Sequence, residues 1–260
     1  LWSHGWYGRE SNIKKIIKKI FFSLSTKVIL YGDHARNLMI KEGVNQNKLV
    51  CVYNSLDTNN QVKIRGTLNY SSIYENYFGN NDPVILFIGR ITKSKKLNQL
   101  ILCLRLLHQK NITCNLIIIG SGEYEFSLSE LVSKYKLNNN VWFYGSSYNE
   151  KKIANLIFNA NVCVSPGNVG LTALHCFAYG IPVITHNNFT NQGPEFESIT
   201  PNLNGDFFIE DSIEDMCEKT IPWLSLSKHQ RNAVKQDCYD VIKDKYNPNN
   251  QINILKNNIN

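Results

Sequence analysis

Gly89-Arg90-Ile91-Thr92-Lys93-Ser94-Lys95-Lys96 sets a guanidinium and an ammonium five residues apart in a loop that opens with glycine. A guanidinium meets a phosphate with a planar donor fork, and an ammonium adds a point charge. The chemistry implied is anion recognition; the alternative is a solvated basic loop. A second stretch, Gly167-Asn168-Val169-Gly170-Leu171, leads into an apolar helical run that carries His175 and closes at Gly180-Ile181-Pro182. Glycines let the backbone approach a ligand, and the free NH groups of a helix start favour an anion. The alternative there is an ordinary strand-to-helix turn. Gly120-Ser121-Gly122 is only part of a dinucleotide fingerprint, because Glu125 stands where the third glycine belongs. The polar stretch 185–199 offers Glu195 and Glu197, carboxylates suited to sugar hydroxyls or simply to solvent. His4-Gly5 is a single histidine that carries no signal unaided.

The elements that must hold these residues follow from hydrophobic pattern. From Val84 onward, short apolar runs at 84–88, 116–119, 141–144, 162–164 and 183–185 alternate with helical stretches. Continuous apolar strands between amphipathic helices predict a parallel sheet covered on both faces. Ligands of such sheets sit outside the carboxyl ends of the strands. That rule lines up Gly89, Arg90, Gly120, Gly122, Gly145 and 165–170 along one rim. Earlier in the chain, 28–30 and 49–53 read as strands with a helix near 35–42 between them. The polar, Asn-, Tyr- and Ser-rich stretch 58–82 reads as a linker between two domains. The Asn-rich C-terminal tail is of low complexity, and no internal repeat is visible.

The bulk numbers set limits. At 260 residues, with 43% hydrophobic and 11% aromatic content, the chain folds with a sizeable core. It starts at Leu1, in mid-pattern, which raises the expectation of a longer natural N-terminus. No apolar run reaches the roughly 20 residues of a spanning helix, and no signal-peptide pattern is present. The seven cysteines stand singly, none in C-x-x-C spacing, as expected of buried thiols in a reduced, cytoplasmic protein. A net charge of +7 suits an anionic ligand or surface. In residues 11–22, Ile13, Ile16, Ile17, Ile20 and Phe21 share one helical face and four lysines the other. This segment, Ile13 to Phe22 above all, has two readings: contact with the inner face of a membrane, or core packing with the charged face outward.

In order and spacing, these motifs resemble the retaining, nucleotide-sugar-dependent GT-B glycosyltransferases of glycosyltransferase family 4 (group 1). The resemblance runs from His4-Gly5 through Asn54-Ser55-Leu56-Asp57 to about Phe208. It implies an α/β fold of two Rossmann-like domains, the N-terminal one only partly present. The division expected is 1–70 for the remnant of an acceptor-side domain, 71–235 for the nucleotide-sugar domain and 236–260 for a C-terminal helix or tail. Arg90 and Lys95 match the family's diphosphate-binding pair, and Gly89 opens their loop. Gly120 and Gly122 match its G-x-G turn. Tyr144 and Gly145 end the strand near the nucleobase. Asn168, Val169, Gly170 and Leu171 align with the segment whose amides approach sugar and phosphates. Glu195 matches the acidic residue of the following loop, and His4 matches a histidine near the donor sugar. The family commonly has two glutamates eight residues apart; Gly167 and His175 stand there in this chain. His175 can hydrogen-bond a ribose or phosphate, whereas Gly167 has no side chain to offer.

The activity implied is transfer of a sugar from a nucleotide sugar to a glycan or lipid-linked acceptor, with retention of configuration, in bacterial surface polysaccharide (capsule, O-antigen, lipopolysaccharide) synthesis. Catalytic roles fall to Arg90, Lys95 and His4. No cofactor is expected, and no metal, since no D-x-D stands in a suitable loop. Two alternatives stay open: a GT-B relative such as a sugar-nucleotide epimerase, and a non-catalytic sugar-nucleotide or membrane binder. Nucleic acid is not an expected partner, because basic and aromatic residues are not interleaved along one element.

Overall fold

A computed structural model describes residues 1–258. The small first unit holds α1 (Asn12–Leu24), β1 (Val28–Leu30), α2 (Asp33–Lys41) and β2 (Leu49–Cys51). β1 and β2 pair in parallel, and Trp2 bridges to Ile29 on the other side of β1. The chain then enters α3 (Thr58–Arg65) and α4 (Ile73–Phe78) and builds the large unit from β3 (Val84–Ile88), α5 (Leu97–Gln109), β4 (Asn115–Ile119), α6 (Glu125–Lys134), β5 (Val141–Gly145), α7 (Glu150–Asn159), β6 (Val162–Ser165), α8 (Thr172–Ala178), β7 (Val183–His186) and β8 (Gly205–Phe208). Helices α9 (Ile213–Leu224), α10 (Lys228–Asp244) and α11 (Pro248–Asn258) complete it.

The six strands lie in the order β5-β4-β3-β6-β7-β8, every neighbour parallel. The chain steps outward from β3 to β5, crosses back to β6, and steps outward the other way. Its loops therefore diverge between β3 and β6, and the cleft at their carboxyl ends is the topological switch point. The central strands are apolar on both faces because helices cover both: Leu86, Ile117, Ile118 and Val164 have no exposed surface. Helix α5 buries Leu97, Leu100, Ile101, Leu104 and Leu107, the spacing of one helical face. Start signals are conventional: Asn149 caps α7 through the Lys152 amide, and Ser227 forms a capping box with Gln230 on α10.

At four places the structure alters the sequence reading or adds to it. Residues 58–82 are not a bare linker. They contain α3, capped by Asp57, and α4, and they pack Ile64 and Tyr74 into the main core. The Tyr74 hydroxyl donates to the Leu156 carbonyl at 2.6 Å, and Tyr77 stacks on Trp142 with ring centres 3.9 Å apart. The helices are too short, and their aromatics too dispersed, to show a period. The Asn-rich tail forms α11, whose Ile254 and Leu255 pack on Ile29, Val50 and Val52 of the small unit. Two apolar side chains suffice there, and α10 runs unbroken across position 235. Strand β8 leaves no apolar run in the sequence, since it holds only two apolar residues. Finally, α1 does not pack by its apolar face: Phe22 is its only buried residue, and Lys15 and Lys18 turn inward to Glu42 and Glu10.

Candidate functional site

The loops after β3, β4 and β5 are knitted into one rim. Gly89 donates its amide to Ile119, Gly120 to Gly145, and Ile91 to Ser121, at 2.9–3.0 Å. A Cβ on Gly120 would lie 1.9 Å from the Gly89 carbonyl oxygen, and one on Gly122 2.2 Å from that of Ile91. The G-x-G turn is thus required by loop-on-loop packing, whatever ligand the rim takes. Thr172 Oγ1 adds a bond to the Ile88 carbonyl at 2.9 Å, pinning the start of α8 to the end of β3.

Lys95 sits where the two sides of the switch point meet. Its Nζ donates to the main-chain oxygen of Asn168 at 2.5 Å. Burial draws its ammonium below the usual lysine value, the neighbouring Arg90 charge adds to that, and Glu195 opposes it. Arg90 is exposed on the same rim. Gly167 lies against this loop so closely that a Cβ would fall 2.3 Å from the Ser94 carbonyl oxygen and 2.8 Å from Lys95 Cα. A glutamate in this place is therefore excluded by backbone. Of the amides on the Asn168-to-Leu171 turn, that of Val169 is taken by Gln192 Oε1 at 2.9 Å. The amides of Gly170, Leu171 and Thr172 donate to no protein acceptor among the described residues. α8 itself is only seven residues long. The site's positive character hence rests on Arg90, Lys95 and these open amides more than on a helix dipole.

The small unit faces this rim. His4 is exposed, with its ring 5.1 Å from Tyr31 and 6.3 Å from Tyr7. The carboxylate of Glu195 is near enough to Tyr7 to help raise its hydroxyl's pKa, after the larger effect of burial. Arg9 reaches Asn191 Oδ1 at 2.8 Å. Glu195 is buried and accepts from Asn54 Nδ2 at 2.8 Å. Glu197 accepts from the Asp33 and His34 amides at 2.7 and 2.8 Å, capping α2 from the other unit. Neither carboxylate is left to solvent. Lys95 thus has Asn168 in direct contact and Arg90 and Glu195 close enough to act on its charge, while His4 stands in the small unit beside Tyr7 and Tyr31.

Toward β5, His175 on α8 is held by Glu150 on α7, with Nε2 to Oε1 at 3.0 Å. The same oxygen accepts from Tyr179 at 2.6 Å. The His175 bond, against the cost of burial, lowers the Glu150 carboxyl to about 2, and Tyr179 adds to the shift. A carboxylate thus stands beside position 175 after all, borne by a different helix. Tyr144 and Gly145 end β5 at the same margin, Tyr144 with its ring 5.3 Å from Trp142. Sequence reasoning missed Glu150, Gln192 and Asn54; each acts on a partner at least 23 positions away. Only the N-capping Asn149 marks the start of Glu150's helix in the sequence. Among the described residues, no group of three or more His, Cys, Asp or Glu side chains gathers as a metal site.

The family model for glycosyl transferases group 1 matches residues 74–237. An uncharacterised 41.2 kDa protein in the cps region of Klebsiella pneumoniae is 25% identical over 244 residues, 91% of this chain and 62% of that protein. The chain therefore spans less than two thirds of that relative. Among solved structures, Anabaena Alr3699/HepE in complex with UDP and glucose superposes with a TM-score of 0.72 at 14% identity, over 98% of this chain and 68% of that one. The apo form of the lipopolysaccharide outer core galactosyltransferase WaaB gives 0.72 at 16%, over 99% and 67%. The architecture is the expected GT-B arrangement.

Proposed function

We propose, because the chain belongs to the glycosyl transferases group 1 family and its switch-point cleft gathers Arg90, Lys95 and three open amides, that it transfers a hexosyl unit from a nucleoside-diphosphate sugar to a glycan or lipid-linked acceptor. The convergence of Arg90 and Lys95 carries the reading. As the bond from sugar to diphosphate breaks, negative charge grows on the leaving phosphate. Two fixed cations and preset amides stabilise that charge without reorganising. They take the part a metal ion plays elsewhere. His4 approaches the sugar from the small unit, residues 1–70 serving the acceptor side and 71–235 the donor. The nucleoside lies toward Tyr144, Gly145 and His175, and configuration is retained. The relative from a cps region and the superposition on a lipopolysaccharide galactosyltransferase support a place in surface-polysaccharide synthesis.

Calorimetric titration of UDP, GDP, ADP and NAD, beside an Arg90→Ala/Lys95→Ala variant, tests the donor site. Binding of one nucleoside diphosphate, lost in the variant, is the expected result. Best binding to NAD, or to none of the four, would overturn the assignment. Binding without turnover on a broad donor and acceptor panel would favour a non-catalytic protein.

A further inference from the structure

Lys96 ends the basic stretch 89–96 and takes no part in the anion site described above. It stands between Lys95 and the first turn of α5 with φ +53°, in the left-handed region where a side chain's Cβ is crowded. Asp211, in the turn between β8 and α9, shares that region at φ +66°. The two side chains meet: Lys96 Nζ lies 2.6 Å from Asp211 Oδ1 and 2.9 Å from Glu210 Oε1. Gln99 of α5 donates to the same Asp211 oxygen at 2.7 Å. Against the cost of burial, the bonds to Asp211 and Glu210 raise the Lys96 ammonium above the usual lysine value, the opposite of its neighbour Lys95.

Glu210 carries the connection onward. Its Oε2 accepts from Asn188 Nδ2 at 2.6 Å, and Asn191 Nδ2 approaches both of its oxygens at 3.3 and 3.4 Å. The Asn191 carbonyl accepts from Asn168 Nδ2 at 3.2 Å, and the Asn168 carbonyl accepts from Lys95. The contacts therefore close a ring that runs from Lys95 through its chain neighbour Lys96, then Glu210, Asn191 and Asn168, and back to Lys95. Lys95 is held at both ends, its ammonium by Asn168 and its backbone by Lys96. A lone surface ion pair would fix little. Here the Glu210 side chain is only 18% exposed and four donor hydrogen bonds converge on its two oxygens.

We propose that Glu210 and Lys96 are positioning residues for Lys95. They hold the loop after β3 in one place, so that a diphosphate meets a preset ammonium and no loop has to rearrange. The role is exerted through Lys95 and Asn191. Its consequence for the donor rests on the reading given under Proposed function; the ring itself does not.

Glu210→Gln, Lys96→Met and Lys96→Arg in the full chain test it by two independent readouts. The first is hydrogen exchange of the Lys95 and Lys96 amides, which donate to the Thr92 and Lys93 carbonyls at 3.0 and 3.1 Å. Relative to the interior of α5, their exchange should quicken at least roughly tenfold in Glu210→Gln and Lys96→Met, with an unchanged circular dichroism spectrum. The second is calorimetric binding of UDP, GDP and ADP beside UMP, GMP and AMP. For the base that the wild type binds, both variants should narrow the gap in affinity between diphosphate and monophosphate by roughly tenfold. Lys96→Arg keeps a cation for the two carboxylates and should restore both readouts. Unchanged exchange in Glu210→Gln and Lys96→Met overturns the ring, whatever the donor. A freed loop with an unchanged diphosphate gap overturns the positioning role, and so does a failure of Lys96→Arg to restore it. A wild type that binds none of the three diphosphates overturns the donor-site reading and, with it, the purpose assigned to the ring.

Discussion

Lys95 donates to the main-chain oxygen of Asn168 at 2.5 Å and so joins the loops on either side of the switch point. Arg90, on the same loop, is exposed and makes no such tie. The two cations therefore separate by experiment. Arg90→Ala is expected to lower kcat/KM by roughly 10²–10³ and to leave Tm unchanged. Lys95→Ala is expected to lower kcat/KM as much and to lower Tm as well, because the Asn168 carbonyl loses its donor. Steady-state kinetics beside thermal melts check both; a Tm loss in Arg90→Ala alone would reverse the roles.

Gly167 stands where the family commonly has a glutamate, and its backbone closeness to Ser94 and Lys95 explains why none fits. The obstacle is the Cβ itself, 2.3 Å from a carbonyl oxygen. Gly167→Ala and Gly167→Glu should therefore destabilise alike, by about 1–3 kcal/mol, the cost of forcing a packed loop apart. Urea unfolding measures this. If Gly167→Glu proved neutral or raised activity, the loop would be free to open and the glycine would be no steric necessity.

The large unit was legible because β3, β4, β6 and β7 each hold a short apolar run rich in β-branched residues, and such runs have few other fates between amphipathic helices. Arg90 and Lys95 were legible because a fixed spacing in one loop is a one-dimensional signal. Glu150 and Gln192 were not, since each is an ordinary polar residue whose role is a contact with His175 or Val169 across the fold. The amphipathic axis of α1 could be read at once, but not its sense. A hydrophobic pattern tells which residues share a face, not which face the body takes, and Glu10 and Glu42 decided for the lysines.

The Glu150–His175 pair has a pH signature. Its carboxyl is lowered from 4.5 to about 2, chiefly by the bond from His175. A depressed acid stabilises the fold above its unfolded value and loses that contribution as pH falls from about 4.5 toward 2. Glu150 is partly solvated, so screening cuts the contribution to about 1 kcal/mol. Glu150→Gln should remove this segment of acid sensitivity, seen as converging urea midpoints of the two proteins near pH 3. Parallel curves throughout would mean that the pair is loose in solution.

Glu197 supplies α2 with a cap that the helix's own sequence cannot, because its N-cap is Gly32. Both carboxylate oxygens are used, one on the Asp33 amide and one on the His34 amide. Burial raises the Glu197 carboxyl above 4.5, against the lowering effect of those two bonds. A raised acid gives its full advantage below the unfolded value and loses it as pH climbs through the folded one. The wild type should therefore lose some stability as pH rises above 4.5, and Glu197→Gln should not. Glu197→Ala leaves two amides without an acceptor and should cost about 1–2 kcal/mol at neutral pH. Glu197→Gln keeps one amide oxygen as an acceptor and should cost less. Because the cap crosses from the large unit to the small one, the loss should also speed hydrogen exchange of the α2 amides relative to those of α5. Equal exchange in both helices would show that the small unit keeps its register without Glu197.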